Sequence, residues 1–533
     1  MPWHAGDVPA TLRTADVVVI GLGMVLIAAI GVLCSRRSRT AGGYFLADRS
    51  LPGWAVGFSL MATIVSSMTF LALPAAAYQS NWRHLPANAM YVLALPVAWL
   101  LFIPFYRAGG LKSAYEYLER RFGLWARLYA GGAFILFHLA RMGLILFVAS
   151  ESLQLMIGRR EDWILDVVII VFGVVVAGYT VLGGLRAVIW TDVLQGVALI
   201  GGGLICLPIL VDGIPDGLSG LLATARQHDK LSFGVSAGDV AGHTMGATML
   251  TKLIVFMQIL GTDQTTVQRY MAASSRREAN RALWIGGLLT FPVWVYFLFV
   301  GTALFVFYKF QLDPVVASLE PEQIFSHFII TRVPAGVAGF VIVGLIAAAM
   351  STLDSSINAI AATATNDFYR RLWRNDADEH HYGRVGRGVS LATGAVMIGS
   401  GLLIHALRTA EGVEDVQTKL LSIFGGGLLG LFLLGLLTRR ATGRSTAVAT
   451  GVSVVLVTAW VGLSSSVAAD WFPGLHERVL DTFWVGVVAN PLLFGLGWLL
   501  GRTPGPGDRS LAGLTIWTAD DESTSMPPGD RDG

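Results

Sequence analysis

Residues Val333–Arg371 read VPAGVAGFVIVGLIAAAMSTLDSSINAIAATATNDFYRR, and this stretch decides the fold. It begins as an apolar membrane helix and then places Ser351, Thr352, Asp354, Ser355, Ser356 and Asn358 in one short run. Hydroxyls and a carboxylate at membrane depth are costly unless something binds them. Ser351 and Ser355, four apart, share a helix face, and Thr352 and Ser356 share its adjacent edge. A turn of oxygens among small alanines suits a hard monovalent cation. One such hydroxyl alone would be explained by a bond to its own helix carbonyl. The cluster with an added Asp favours an ion site.

The whole chain agrees with a membrane setting. It is 54% hydrophobic and only 14% charged, with a mean hydropathy of +0.62. That is the composition of a polytopic membrane protein. The formal charge of +2 gives no reason to expect nucleic acid as a partner. The two cysteines, Cys34 and Cys206, lie in apolar segments, which argues against a structural disulfide or a cysteine metal site. The start, MPWHAGDVPATLRT, lacks a basic n-region, so Asp16–Cys34 reads as a retained first span rather than a signal peptide.

Apolar stretches of spanning length fall near 16–34, 52–79, 85–105, 124–157, 163–181, 187–211, 244–268, 282–308, 335–367, 388–407, 416–437, 445–466 and 480–500. The pattern predicts an all-α membrane protein of about thirteen transmembrane helices, each with the roughly 20 residues a bilayer needs. Between them, one set of loops concentrates arginine: Arg36, Arg37, Arg39 and Arg49; Arg107, Lys112, Arg120, Arg121 and Arg127; Arg186; Arg269, Arg276, Arg277 and Arg281. The set continues with Arg370, Arg371, Arg374, Arg384 and Arg387, then Arg439, Arg440 and Arg444. By the positive-inside rule these loops are cytoplasmic, which puts the N-terminus outside and the C-terminus in the cytoplasm. The tail from Thr503, rich in Pro, Gly, Asp and Ser, is expected to be disordered.

Two spans carry interruptions. In LPGWAVGFSLMATIVSSMTFLALPAAAY, Thr63, Ser66, Ser67 and Thr69 break the centre and Pro74 the outer half. In the span near 244–268, Gly261, Thr262, Asp263 and Gln264 precede TVQRY. Broken helices free backbone carbonyls for ions and substrates and mark the sites of secondary transporters. A Pro-kinked packing helix with small residues is the alternative for the first. Taken as the openings of two halves, they divide the chain into an extra helix with its loop (1–50), a first repeat (51–212), an extracellular loop (213–243), a second repeat (244–437), two further helices (438–502) and the tail (503–533). Five helices per half would invert the second half relative to the first.

Two basic residues lie within spans. Lys252 is near a helix end and can snorkel. Arg141 is mid-depth in FILFHLARMGLILFVAS, with Phe137, His138, Leu144 and Ile145 one turn away. No acid on its own helix can pair with it. Its guanidinium is either a structural partner of another helix or a bidentate clamp for a substrate carboxylate.

These residues resemble the sodium:solute symporter family, which includes sodium–glucose, proline, pantothenate and sialic acid transporters. The motifs are YFLADRSLPGW, SAYEYLERRFG, GGLRAVIWTDVLQ, GTDQTTVQRYMAA and AAAMSTLDSSINAIAATATNDFYRR, covering Tyr44 to Arg444. The resemblance implies the LeuT-type five-plus-five inverted-repeat fold and sodium-coupled solute uptake. It also implies a first sodium site from the carbonyls of Ala62, Val65 and Ala348 with the side chains of Ser351 and Thr352. Asp192 and Ser355 match a second sodium site of the sialic acid branch, where Asp354 stands in place of a hydroxyl. Ser66, Thr69 and Arg141 match that branch's substrate contacts, with Asn88 and Gln264 as further candidates.

The resulting expectation is a sodium-coupled symporter of a bacterial cytoplasmic membrane, importing by alternating access an anionic sugar such as sialic acid. Sodium is the coupling ion, and the bilayer and a small solute are the partners. Other solutes remain open: a neutral sugar, a monocarboxylate, proline or a pantothenate-like acid. A membrane sensor is the other class, although the tail is too short for a kinase domain. An enzyme is disfavoured, because no metal cluster, nucleophile elbow or phosphate loop is present in the sequence.

Overall fold

A computed structural model describes residues 12–35, 38–108, 110–159, 161–234, 244–407, 422–423, 425–464, 480–502 and 511–518. These residues are almost wholly helical, as a lipid environment demands, because only helices satisfy their backbone groups internally. We number the principal helices α1 Thr14–Ser35, α2 Gly53–Ile64, α3 Ser67–Gln79, α4 Leu85–Arg107, α5 Ala114–Phe122, α6 Leu124–Ile157, α7 Asp162–Asp212, α8 Met245–Gly261 and α9 Gln264–Ala272. They continue with α10 Arg276–Phe310, α11 Pro321–Arg332, α12 Val337–Trp373, α13 Glu379–Leu407, α14 Leu428–Leu437, α15 Gly443–Leu463 and α16 Thr482–Leu499.

Among the described residues, nine helices are long and apolar enough to cross a membrane, and eleven spans result if each bent pair counts as one. The bent pairs are α2/α3, at 53°, and α8/α9, at 45°. Both coincide with the interruptions expected from the sequence. The two spans expected at 163–181 and 187–211 are the two arms of one run of 51 residues, α7. The run changes direction at Gly184, whose φ of 59° and ψ of −158° are outside the helical region. Residues 408–421, at the start of the span expected at 416–437, lie outside the described residues, as do 235–243 and 465–479 of the expected loop and C-terminal helices.

Depth in the protein sorts the helices. α1 presents Leu22, Val25 and Leu33 outward, each more than 60% exposed, as a lipid-facing helix does. α12 is the opposite: every residue from Val341 to Thr363 except Val343 and Ile346 is at most 2% exposed. It runs against α7, and small residues permit the approach. A Cβ on Gly344 would meet the Ala198 carbonyl oxygen at 2.8 Å. The openings of the two bent pairs are stitched together, because the Leu51 amide donates to Ala272 O at 3.2 Å and the Ser274 amide to Leu51 O at 3.0 Å.

Several arginines assigned to loops are built into the protein. Arg121 is 4% exposed and donates to the carbonyls of Gly435, Ala441 and Thr438 at 3.3, 2.8 and 2.8 Å. Its guanidinium supplies donors to the carbonyls left free where α14 ends. Arg127 lies between Glu119 and Asp367, 2.7 Å from each. Burial works against the Glu119 carboxylate, but its bonds to Arg127 and Arg371 hold it below the usual range. Arg269, counted with the cytoplasmic loops, is in fact 0% exposed inside the core.

The expected disorder of the tail does not hold for residues 511–518. Thr515 is fully buried, the Ile516 amide donates to Leu436 O at 3.0 Å, the Trp517 indole to Leu437 O at 2.8 Å, and Tyr117 Oη to Leu514 O at 2.9 Å. Composition had hidden an apolar docking segment, LAGLTIWT, between polar flanks.

Gly184 tests the bend in α7. A side chain there would adopt a backbone conformation open almost only to glycine, with its Cβ 2.6 Å from Tyr44 O. Gly184→Ala should destabilise the protein by at least about 1–3 kcal/mol, read as a lower thermal midpoint in detergent. An unchanged midpoint would mean that the bend is dispensable.

Candidate ion and solute site

The site forms where α12 passes the break between α2 and α3. α2 stops at Ile64, Val65 has φ −83° and ψ 87°, and Ser66 is extended before α3 begins. The interruption removes the amide donors that a continuous helix would offer to the last carbonyls of α2. α12 supplies replacements. Ser351 Oγ donates to Ala62 O at 2.8 Å, and Thr352 Oγ1 reaches Thr63 O at 3.4 Å. Both hydroxyls also lie within 3.4 Å of Ala348 O. The structure thus places Ala62, Ala348, Ser351 and Thr352 side by side, with Thr63 beside them. Val65 is buried at the break, two residues beyond Thr63, the later of the two α2 carbonyls the hydroxyls contact.

The hydroxyls of the run divide into two kinds. Ser355 and Ser356 bond back to the carbonyls of Ser351 and Thr352 at 2.5 and 2.8 Å, the local arrangement that a lone serine adopts. Ser351 and Thr352 also reach the backbone carbonyls of another helix, whereas Ser355 and Ser356 meet other helices through the side chains of Thr63, Arg269 and His138. Neutral oxygens from two helices, with no charged group among them, can replace part of the hydration shell of a monovalent cation. No group of three or more His, Cys, Asp or Glu side chains suited to a transition metal occurs among the described residues.

Below this lies a second, charged cluster that sequence reasoning only half saw. Asp192 of α7 accepts from Ser59 Oγ at 2.5 Å and from Arg269 Nη2 at 3.0 Å. Arg269 also donates to Ser59 at 2.7 Å, Ser355 at 2.6 Å and Thr265 O at 2.7 Å. Asp192 and Ser355 thus do not touch in any recorded bond; one guanidinium spans them. Asp354 accepts from Tyr179 Oη at 2.6 Å and lies 3.2 Å from Ser355 Oγ. Asp192, Asp354, Ser355 and Arg269 are each at most 1% exposed, and Asp192 Oδ1 has no hydrogen-bond partner. Arg269 escaped notice because its position in TVQRYMAA follows a helix break and precedes loop arginines.

Arg141 lies half-buried on α6, and its Nε is buried with no hydrogen-bond partner. No ion pair involves it among the described residues. The nearest acid to act on it, Asp263 at the α8/α9 break, is engaged otherwise: His138 Nε2 is 3.0 Å away, and Thr265 donates to it through both its amide and its hydroxyl. His138 also reaches Ser356 at 3.1 Å, linking α6, α12 and the second break. That histidine lies one turn from Arg141, a spacing that gave no decision from the sequence alone.

The other candidate solute contacts separate. Ser66, N-terminal to α3, makes no side-chain capping bond. Thr69 follows in the first turn of α3, a helix that packs against α6. Gln264, by contrast, accepts the Ala114 amide at 2.8 Å and so caps α5, with its Nε2 buried and unpartnered. Asn88 lies in the first turn of α4, where its recorded bond is from backbone to His84 O.

Known proteins resemble this chain in sequence and in fold. A family model described as the sodium:solute symporter family matches residues 44–452. The chain is 32% identical over 482 residues to the sodium/sialic acid symporter NanT of Aliivibrio fischeri, covering 90% of each chain. It is 33% identical over 432 residues to the sodium/sialic acid symporter SiaT of Proteus mirabilis, covering 81% of this chain and 86% of that one. A solved structure of a Na+-coupled sialic acid symporter, described as substrate-bound, outward-open and revealing a novel Na+ site, superposes with a TM-score of 0.80 at 29% identity. It covers 91% of this chain and 97% of that one. The nucleobase-cation-symport transporter Mhp1 in a closed conformation shares the fold at 16% identity, with a TM-score of 0.56 over 85% of this chain and 93% of that one.

The Asp192–Arg269 pair makes a separable prediction. Arg269→Gln leaves Asp192 buried without its counter-charge, and breaking such a pair from one side costs about 3–5 kcal/mol. The double variant Asp192→Asn/Arg269→Gln should recover much of the loss, measured by thermal unfolding in detergent. Additive losses in the double variant would show that the two charges do not depend on each other.

Proposed function

The chain belongs to the sodium:solute symporter family, and from that premise we propose that it imports sialic acid, an anionic sugar, together with sodium across a bacterial cytoplasmic membrane. The observation that carries the solute assignment is Arg141, whose buried Nε has no hydrogen-bond partner among the described residues. An unpaired guanidinium at membrane depth is expensive, and a solute carboxylate completes its charge balance each time the site fills. The Ser66 and Thr69 hydroxyls at the start of α3 then hold the carboxylate or an adjacent polar group. The bacterial relatives named as sodium/sialic acid symporters support the same reading.

The first sodium site lies between the α2 break and α12, using the carbonyls of Ala62, Val65 and Ala348 and the hydroxyls of Ser351 and Thr352. The ion then ties two helices that must separate for the site to open to the other side, so its presence biases the alternation. Asp192, Asp354 and Ser355 form a second cation-binding region, with Arg269 as a resident positive charge. The helices group as two sets of five: α2/α3, α4, α6 and the two arms of α7, then α8/α9, α10, α12, α13 and α14. With α1, α15 and α16 they make thirteen spans, and the arginine-rich face is cytoplasmic with the N-terminus outside.

Three measurements on proteoliposomes test this. Arg141→Ala should abolish uptake of radiolabelled sialic acid while the protein still binds sodium, and Arg141→Lys should bind it poorly because the bidentate geometry is lost. Full-rate uptake by Arg141→Ala would refute the solute assignment but not sodium coupling. Ser351→Ala and Thr352→Ala should each raise the sodium needed for half-maximal uptake by roughly ten- to a hundredfold, from a loss of about 1–3 kcal/mol. Unchanged sodium dependence in both would remove the first site.

A further inference from the structure

On the arginine-rich face, away from the ion site, a cavity of ≈ 400 Å³ lies where the end of α1, the bend of α7 and the start of α13 meet. Its lining is Ser35, Arg39, Leu182, His380, Arg384 and Arg387, with no acidic residue. The nearby acids are committed elsewhere. Glu379 pairs with Arg370 at 2.9 Å and Lys112 at 3.4 Å, and Asp378 accepts the His381 amide at 2.8 Å. Arg387 is anchored, donating to Ser38 O with its guanidinium 5.4 Å from the Tyr44 ring centroid. Arg39 and Arg384 are exposed and have no hydrogen bond or ion pair among the described residues.

The cavity adjoins an apolar surface. Leu182, in its wall, is 47% exposed, and Val32 and Leu33, within one turn of Ser35, are 56% and 76% exposed. In a membrane these faces meet acyl chains. A basic cage directly above a lipid-facing strip suits a molecule with an anionic head and an apolar body.

We propose that this cavity binds the phosphate of an anionic phospholipid, with Arg39, Arg384 and Arg387 holding the headgroup and the acyl chains lying along Val32, Leu33 and Leu182. Arg387 is held in place by its protein contacts, while Arg39 and Arg384 close on the phosphate. The forked guanidinium donors match phosphate oxygens in a way a single ammonium does not. An ordinary surface attraction between arginines and an anionic bilayer would need no recess; here three guanidinium groups line one open recess, which makes this a site for one headgroup.

The test is native mass spectrometry of the full-length protein released from detergent containing equal amounts of phosphatidylglycerol and phosphatidylcholine. Wild type should retain one phosphatidylglycerol in preference to phosphatidylcholine. The double variant Arg39→Gln/Arg384→Gln should bind it about twenty-five-fold more weakly, at roughly fivefold per arginine. The side chains replaced have no protein partners, so the fold should survive, and Arg39→Lys/Arg384→Lys should keep part of the binding. Millimolar inorganic phosphate is added in a second arm. If it leaves the lipid bound, the ligand is the lipid; if it displaces the lipid and binds wild type alone, the site reads soluble phosphate and the lipid assignment is overturned. Equal retention of the two lipids by wild type, or undiminished phosphatidylglycerol on the Gln variant, overturns the site altogether. The readout needs no transport, so it stands or falls separately from the solute assignment.

Discussion

Burying Asp192 and Arg269 next to one another constrains the core more than any other contact. Neither charge is tolerable alone in a low-dielectric interior. Their separation of 3.0 Å fixes the distance between α7 and α9. Arg269 then spends its remaining donors on Ser59 of α2, Ser355 of α12 and the Thr265 carbonyl of its own helix. Four helices are thereby held by one side chain, and the broken helix cannot shift against α12 without disturbing the charge pair.

That registration gives the break in α2 its meaning. A helix interrupted at Val65 exposes carbonyl dipoles, which in hydrocarbon would be a defect. Here the neighbouring helix presents Ser351 and Thr352 at the same depth, so the defect becomes a ring of oxygens between two elements. Because the oxygens belong to different helices, a cation bound among them senses their relative position. A site built on one rigid helix could bind as well, yet it would not couple binding to movement.

The arginine-rich face shows the same economy with charge. Arg127 joins α6 to Asp367 on α12 and to Glu119 on α5, and Arg371 returns to Glu119 at 2.8 Å. The segment at 511–518 adds a backbone bond from the Ile516 amide to Leu436 O and accepts a side-chain bond at Leu514 O from Tyr117 on α5. This face is held by ion pairs and a docked segment. The exposed Arg371–Glu119 pair contributes little, whereas Arg127 and Asp367 are buried, and breaking their pair from one side is costly. Along α12 and α7 the contact is close-packed at glycines, with Asp354 of α12 accepting from Tyr179 of α7.

The sequence by itself determined the membrane class, the two interrupted helices, the hydroxyl run on α12 and the isolated guanidinium of Arg141. Each is a local property: hydropathy over one span, a helix period, or the lack of an acid one turn away. Only the tertiary structure decided which oxygens face one another, because that depends on the relative depth and rotation of separate helices. It moved Arg269 from a presumed loop to the centre of the core, turned Gln264 toward capping α5, and aimed the hydroxyls of Ser351 and Thr352 at the backbone carbonyls of α2 while Ser355 meets Arg269 and Ser356 meets His138. An arginine near a helix end looks the same in sequence whether it meets water or a buried carboxylate. The physical difference lies in its partner, 77 residues away in the chain and 3.0 Å away in space.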